Sequence, residues 1–207
     1  MNVNTPLVSR YTPPQVSALT GLPIAAVHKA IETGLIHPGR KREGKTVTRL
    51  FSKTQILFLF LEARGLRLLP LPTRRGVAKQ LERNPNVNSL QVTEGSVVRI
   101  ECKSARQAAQ AGFRRLAQAQ LMVDSQPDVM HGTPVYKGTR IPVQLIADML
   151  AQGTEVEEIL QGYPALTRQG IQLAPLYVKA FPRRGRPAAR PWARKRTSRT
   201  FYSIKTN

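Results

Sequence analysis

Cysteine is almost missing from this chain. A single thiol, Cys102, stands among 207 residues, which excludes an internal disulfide and suits a reducing cytoplasm. Aromatic residues make up only 6% of the sequence. That is few for the stacking surfaces that grip unpaired bases, which counts against a basic RNA-binding or ribosome-associated protein. No run of about 18 apolar residues occurs, so no membrane span is expected. The first residues lack the basic-then-apolar order of a secretion signal. Histidine is equally scarce: His28, His37 and His131 lie far apart in sequence. No His/Cys metal spacing, Gly-rich phosphate loop or nucleophile motif is present. No catalytic residue, metal ligand or cofactor is therefore nominated, and an enzyme is not expected.

Acidic residues are short too, with 12 Asp/Glu against 32 Lys/Arg for a net charge of +20. Such a surplus calls for a polyanionic partner, nucleic acid foremost. The imbalance is local. Residues 1–123 hold 19 Lys/Arg against 6 Asp/Glu, residues 124–163 hold 2 against 6, and residues 164–207 hold 11 and no acid. The front and the end suit phosphate; the middle does not. At 41% apolar, the chain can bury modest cores rather than one large one. Its punctuation divides it into four parts: 1–84, 85–123, 124–181 and 182–207.

In the first part, Thr12 as N-cap with Pro13 and Pro14 in the first turn predicts a helix that Thr20-Gly21 breaks. Pro23 restarts it at the first helical position. Ile24, Val27, Ala30 and Ile31 then recur at helical spacing up to Thr33-Gly34. From 38 to 53 come six Lys/Arg and one Glu, in an order that predicts a β-hairpin with Glu43-Gly44 at its tip. Ser52 and Gln55 form a capping box for an apolar helix from Lys53 to about Arg64. A short helix from Pro72 or Thr73 follows, with Val77 and Leu81 buried. Helix-turn-helix, basic hairpin, helix is the order of a winged helix. The segment resembles the MerR-like and excisionase-like winged DNA-binding domains. The resemblance implies a second helix in the major groove and a wing tracking phosphates. His28 and Lys29 on that helix, and Arg40, Lys41, Arg42, Lys45 and Arg49 on the wing, are the candidate DNA contacts.

In 85–123, Leu90-Gln91-Val92 and Val97–Ile100 predict a second hairpin. Ser104 is expected to cap a helix to about Gln120, with Ala105, Ala108, Ala109, Phe113, Leu116 and Ala117 as its apolar stripe. Cys102 reads as a core thiol, since no second Cys or His adjoins it.

Residues 128–143 carry the most ordered punctuation. Pro134–Tyr136 and Thr139–Ile141 are expected as two short strands about Lys137-Gly138. Pro142 should open a helix with Leu145, Ile146, Met149 and Leu150 inward. Gly153 ends it, Thr154 caps the next helix from Glu155 to Leu160, and Thr167 caps a third. The motif residues are Gly132, Pro134, Lys137, Gly138, Thr139, Arg140 and Pro142, followed by Gly153, Glu157–Leu160 and Tyr163-Pro164. Together they resemble the pattern of a bacterial antitoxin family long catalogued as of unknown function, of VapB type, whose members sit beside PIN-like toxins. The resemblance spans roughly 124–180. It implies one half of a type II toxin–antitoxin pair, which binds the toxin and represses its own operon through operator DNA, as a homodimer or larger complex. Two readings of the motif stand. In one it is structural, Gly138 supplying a positive φ and Arg140 pairing with Asp128 or Asp148. In the other it serves assembly, through dimerisation or toxin contact.

Residues 182–207 hold nine Lys/Arg and no acid, interleaved with prolines, a composition that resists folding alone. This tail would either lie on DNA phosphate or thread into the toxin. There the resemblance implies catalytic carboxylates, which Arg183, Arg184 and Arg186 would neutralise with Trp192 as an apolar anchor. The expected fold class is α+β, mainly α: an N-terminal winged helix-turn-helix, a short hairpin plus helix, a three-helix domain resembling a helix-turn-helix, and a disordered basic tail. The expected function is an antitoxin that also represses transcription. The alternative is a stand-alone winged-helix regulator with no toxin.

Overall fold

The computed structural model describes residues 10–44, 46–93, 97–126 and 130–182. The fold is α+β and mainly helical, with the strands confined to short antiparallel pairs. Helices α1 (Pro13–Thr20) and α2 (Ile24–Glu32) are separated by Gly21 at φ 77°. Two buried hydroxyls lock the bend between them. Ser17 Oγ donates to Leu22 O at 2.7 Å, and Thr20 Oγ1 donates to Val16 O at 2.8 Å. Pro23 stands at the N-cap of α2, one position before the first helical residue where it was expected.

Strands β1 (Gly39–Glu43) and β2 (Thr46–Leu50) form the expected hairpin, with Gly44 at φ 59° in its turn. Its far end is tied to the start of α1: Tyr11 N donates to Phe51 O at 3.0 Å and Phe51 N to Tyr11 O at 2.8 Å. Helix α3 (Lys53–Ala63) begins in the predicted capping box, Gln55 N to Ser52 Oγ at 3.2 Å and Ser52 N to Gln55 Oε1 at 3.1 Å. Every residue from Ile56 to Glu62 is buried, so α3 runs through the middle of the core. Its buried Glu62 receives a bidentate fork from Arg74 of α4 (Leu71–Arg83), at 2.9 and 2.5 Å. That geometry keeps a buried carboxylate compatible with an apolar core.

Strands β3 (Ser89–Thr93) and β4 (Val97–Glu101) pair antiparallel ahead of α5 (Lys103–Leu121). Ser104 does not cap α5; Cys102 holds that position. The helix starts early because tertiary bonds anchor it there. Cys102 N donates to Asn88 O at 2.8 Å, and Arg106 donates to Pro85 O, Val87 O and Asn88 Oδ1. On its buried face Ala119 appears, whereas the expected Ala117 is exposed. A first buried cluster gathers residues from Val16 to Ala109, with Phe51, Phe58, Leu59 and Leu81 among its largest members, and Leu90, Val92, Cys102, Ala105 and Ala109 belong to it.

Strands β5 (Val123–Asp124) and β6 (Val135–Tyr136) form the last pair. The second strand expected at Thr139–Ile141 is not made: β6 takes Val123–Asp124 as its partner instead, and only Pro142 bridges its other side. Helices α6 (Val143–Ala151), α7 (Val156–Gly162) and α8 (Arg168–Ala180) then enclose a second cluster around Tyr136, Ile146, Ile159 and Ile171. Glu155, not Thr154, precedes α7, and Leu145 of α6 faces outward rather than inward. Thr167 caps α8 as expected, accepting from Gly170 N at 3.1 Å. Helix α8 packs on α6 and also on α1 and α5, so it joins the acidic stretch to the N-terminal helices. Gly170 allows the close approach, because a Cβ there would come 2.9 Å from Met122 Cε and 3.1 Å from Thr167 Oγ1.

Candidate nucleic-acid interface

Helix α2 buries Val27 and Ala30 and turns Lys29 and Glu32 to solvent, with His28 half-buried beside them; Ile24, expected on the apolar face, is exposed in its first turn. Lys29 Nζ lies 3.9 Å from Glu32 Oε2. Both side chains are well exposed, so the pair is worth little and a phosphate can displace it. At the C-terminal end of α2, Arg75 Nη2 donates to Thr33 O at 3.0 Å. It satisfies an end carbonyl and adds positive charge beside the helix. Residues Arg75, Lys79 and Arg83 lie on one side of α4 by their spacing, all exposed.

The pleat of the hairpin sorts its charges by face. Arg40 stands directly opposite Arg49, and Arg42 opposite Val47, on one face. Lys41 and Glu43 occupy the other, paired with each other at 2.5 Å. Among the described residues neither Arg40 nor Arg49 meets a carboxylate, and Arg42 Nε donates only to Gly44 O, at 3.2 Å. The structure therefore splits the nominated wing set. It brings Arg40, Arg42 and Arg49 together, places Lys41 on the reverse side already neutralised, and leaves Lys45 outside the described residues. Val47, more than half exposed, sits among the three arginines. Arg10, which carried no signal in the sequence, stands on the reverse side with Lys41: its guanidinium lies over Gly39, so close that a Cβ there would be 3.0 Å from Nη1. Arg74, by contrast, is committed to Glu62 and is not available.

The motif of 132–142 is mostly a folding device. Tyr136–Thr139 is a β-turn closed by Thr139 N to Tyr136 O at 2.9 Å, with Gly138 at φ 75° in its third position, as a type II turn requires. Thr139 Oγ1 donates to Tyr136 O at 2.8 Å and accepts from Ile141 N at 3.1 Å. Pro134 O accepts from Val143 N at 3.1 Å, and Gly132, at φ 74°, accepts from Ser125 Oγ at 2.7 Å. Pro142 stands just before α6. Lys137 and Arg140 project into solvent from this frame. The pairing of Arg140 with Asp148 is not made, for Asp148 accepts from Gln144 at 2.9 Å instead; Asp128 lies outside the described residues. Tyr136 is buried with its hydroxyl donating to Gly170 O at 3.2 Å, and burial pushes its phenol well above the ordinary range.

Residues 123–178 match the family model described as Protein of unknown function (DUF433). The match runs from β5 into α8 and so takes in the second buried cluster with the motif turn. The Uncharacterized protein y4eO of Sinorhizobium fredii (strain NBRC 101917 / NGR234) is 46% identical over 71 residues, which is 34% of this chain and 32% of that protein. The chain thus spans about a third of the length of the curated relative it matches. Arg183, Arg184, Arg186 and Trp192, nominated for a toxin, lie outside the described residues. No helix among the described residues is long and apolar enough to cross a membrane.

Proposed function

We propose that this chain is an antitoxin that grips duplex operator DNA through α2 and the β1–β2 hairpin, and binds a PIN-like toxin through the 124–181 segment and the tail. The observation that carries the DNA half is the arginine face of the hairpin. Two arginines placed directly across a strand pair repel each other, and such pairs are destabilising. Arg40 and Arg49 are so placed, and among the described residues neither is paired with a carboxylate. A phosphate row relieves that repulsion, and the exposed α2 offers a helix for the major groove beside it. Supporting the antitoxin half are the DUF433 match and the resemblance of its motif to the antitoxin pattern.

The test is binding of the full chain to a duplex carrying its own promoter at several salt concentrations, together with co-purification with the protein encoded beside it. Steep weakening with salt and a stoichiometric complex are expected. A flat salt response contradicts the DNA half. DNA binding with no complex returns the protein to the stand-alone winged-helix regulator.

A further inference from the structure

Away from the hairpin, a hollow of about 220 Å³ opens between the start of α3 and the middle of α5, beside the chain that leaves α4. Leu57, Ala109 and Phe113 give it apolar sides, the first two buried and Phe113 partly so. Its cations are Lys53 and Arg106, and none of the described residues lining it is an acid. The two cations are held differently. The Arg106 guanidinium donates to Pro85 O at 2.9 Å, to Asn88 Oδ1 at 3.3 Å and to Val87 O. It is therefore fixed in place, yet carbonyl and amide oxygens leave its charge uncancelled. Lys53 Nζ lies 5.7 Å from the centroid of the Phe113 ring and is paired with no carboxylate among the described residues. The ring face attracts the ammonium, which keeps it at the hollow.

We propose that this hollow binds a small organic carboxylate, its apolar part seated on Leu57, Ala109 and Phe113 and its carboxylate on the Lys53 ammonium, in the field of Arg106. Apolar walls with a few placed polar groups are how proteins hold small molecules, in pockets of about 300–1,000 Å³ for drug-sized ones. The smaller volume here suits a ligand of one or two rings or a short chain. An inorganic anion would meet the charges and leave the apolar sides wet. A neutral ring would fill the hollow and leave Lys53 without a counter-charge. A nucleic-acid duplex is too wide to enter. The site is separate from the arginine face, since Arg40, Arg42 and Arg49 do not line it. It nevertheless adjoins the root of the hairpin. Lys53 follows Phe51 by two residues, and Tyr11, which brackets Phe51 from the start of α1, stacks on Phe113 with ring centroids 5.0 Å apart. Binding there does not depend on what the hairpin grips.

Titration of the full chain with benzoate, 2-naphthoate and octanoate, followed by amide chemical shifts, tests it. Benzamide and sulfate serve as the neutral and inorganic controls. The salt should be near physiological, where a Debye length of about 8 Å screens the long-range pull of this basic chain on any anion. At least one carboxylate is expected to saturate, with shifts centred on residues 53–57, 85–86 and 106–113, and both controls should bind far more weakly. Lys53→Met leaves the Ser52–Gln55 capping box in place. It should weaken binding roughly tenfold or more, the loss of one hydrogen bond to a charged group. Lys79→Met removes the same charge elsewhere and should change nothing. The proposal is overturned if none of the three carboxylates saturates, or if Lys53→Met binds like the wild type. Equal losses in Lys53→Met and Lys79→Met, or sulfate bound as well as the carboxylates, would reduce the effect to diffuse charge and overturn it too.

Discussion

Arg40 and Arg49 illustrate how a residue can be costly in the free protein and useful in a complex. They face each other across the hairpin, and among the described residues neither is paired with a carboxylate. Threonine suits an exposed strand position and carries no charge. Arg49→Thr is therefore expected to stabilise the unliganded protein, by roughly 0.2–1 kcal/mol, while weakening DNA binding. Urea unfolding of the two proteins checks the first half, and a destabilised variant contradicts it. Strand alternation alone separates Arg40, Arg42 and Arg49 from Lys41, so that division was present in the sequence. The Lys41–Glu43 pair, the fork of Arg74 on Glu62 and the position of Arg10 were not. Which cations are occupied depends on side chains brought from elsewhere in the chain.

At the scale of elements, what was legible followed the range of the interaction. The capping box of α3 could be read because Ser52 and Gln55 satisfy each other within one turn. The bend at Gly21 and the hairpin tip at Gly44 could be read because positive φ is a local demand. The start of α5 could not, since bonds donated by Cys102 N and Arg106 to Asn88 fix it across the intervening hairpin. Nor could the partner of β6, because Val123–Asp124 is too short to stand out as a strand. The Tyr136–Thr139 turn yields its own prediction. With Gly138 at φ 75° and open space around it, Gly138→Ala meets no clash and is opposed only by backbone conformation. A loss of about 1–2 kcal/mol is expected, measurable as a shift in the urea midpoint. A neutral result would mean that the turn changes type at no cost.

The whole molecule is held together by α8, which packs on α6 of the acidic stretch and on α1 and α5 of the basic front. Its stability should depend on pH at both extremes. Burial pushes the Cys102 thiol up, with Arg106 partly opposing, and burial pushes Tyr136 and Tyr177 up as well. Each proton is held more tightly in the folded chain than in the unfolded one. That stability is complete below the ordinary thiol range, about 8.5, and declines as pH climbs through it toward the folded values. Glu157 works with the opposite sign: its hydrogen bond from Arg168 holds the carboxyl below the usual range. Its contribution is present above about 4.3 and fades as pH falls. Urea midpoints across the pH range should show a plateau with an alkaline decline, flattened in Tyr136→Phe. A level midpoint through the alkaline range would contradict this account.

The most direct measurement is the salt dependence of duplex DNA binding by the full chain and by Arg40→Thr/Arg49→Thr. If the arginine face lies on phosphate, the slope of log K against log salt should fall by about 0.9 for each phosphate no longer neutralised, with folding stability equal or higher. An unchanged slope and unchanged affinity would contradict the claim that this hairpin grips DNA.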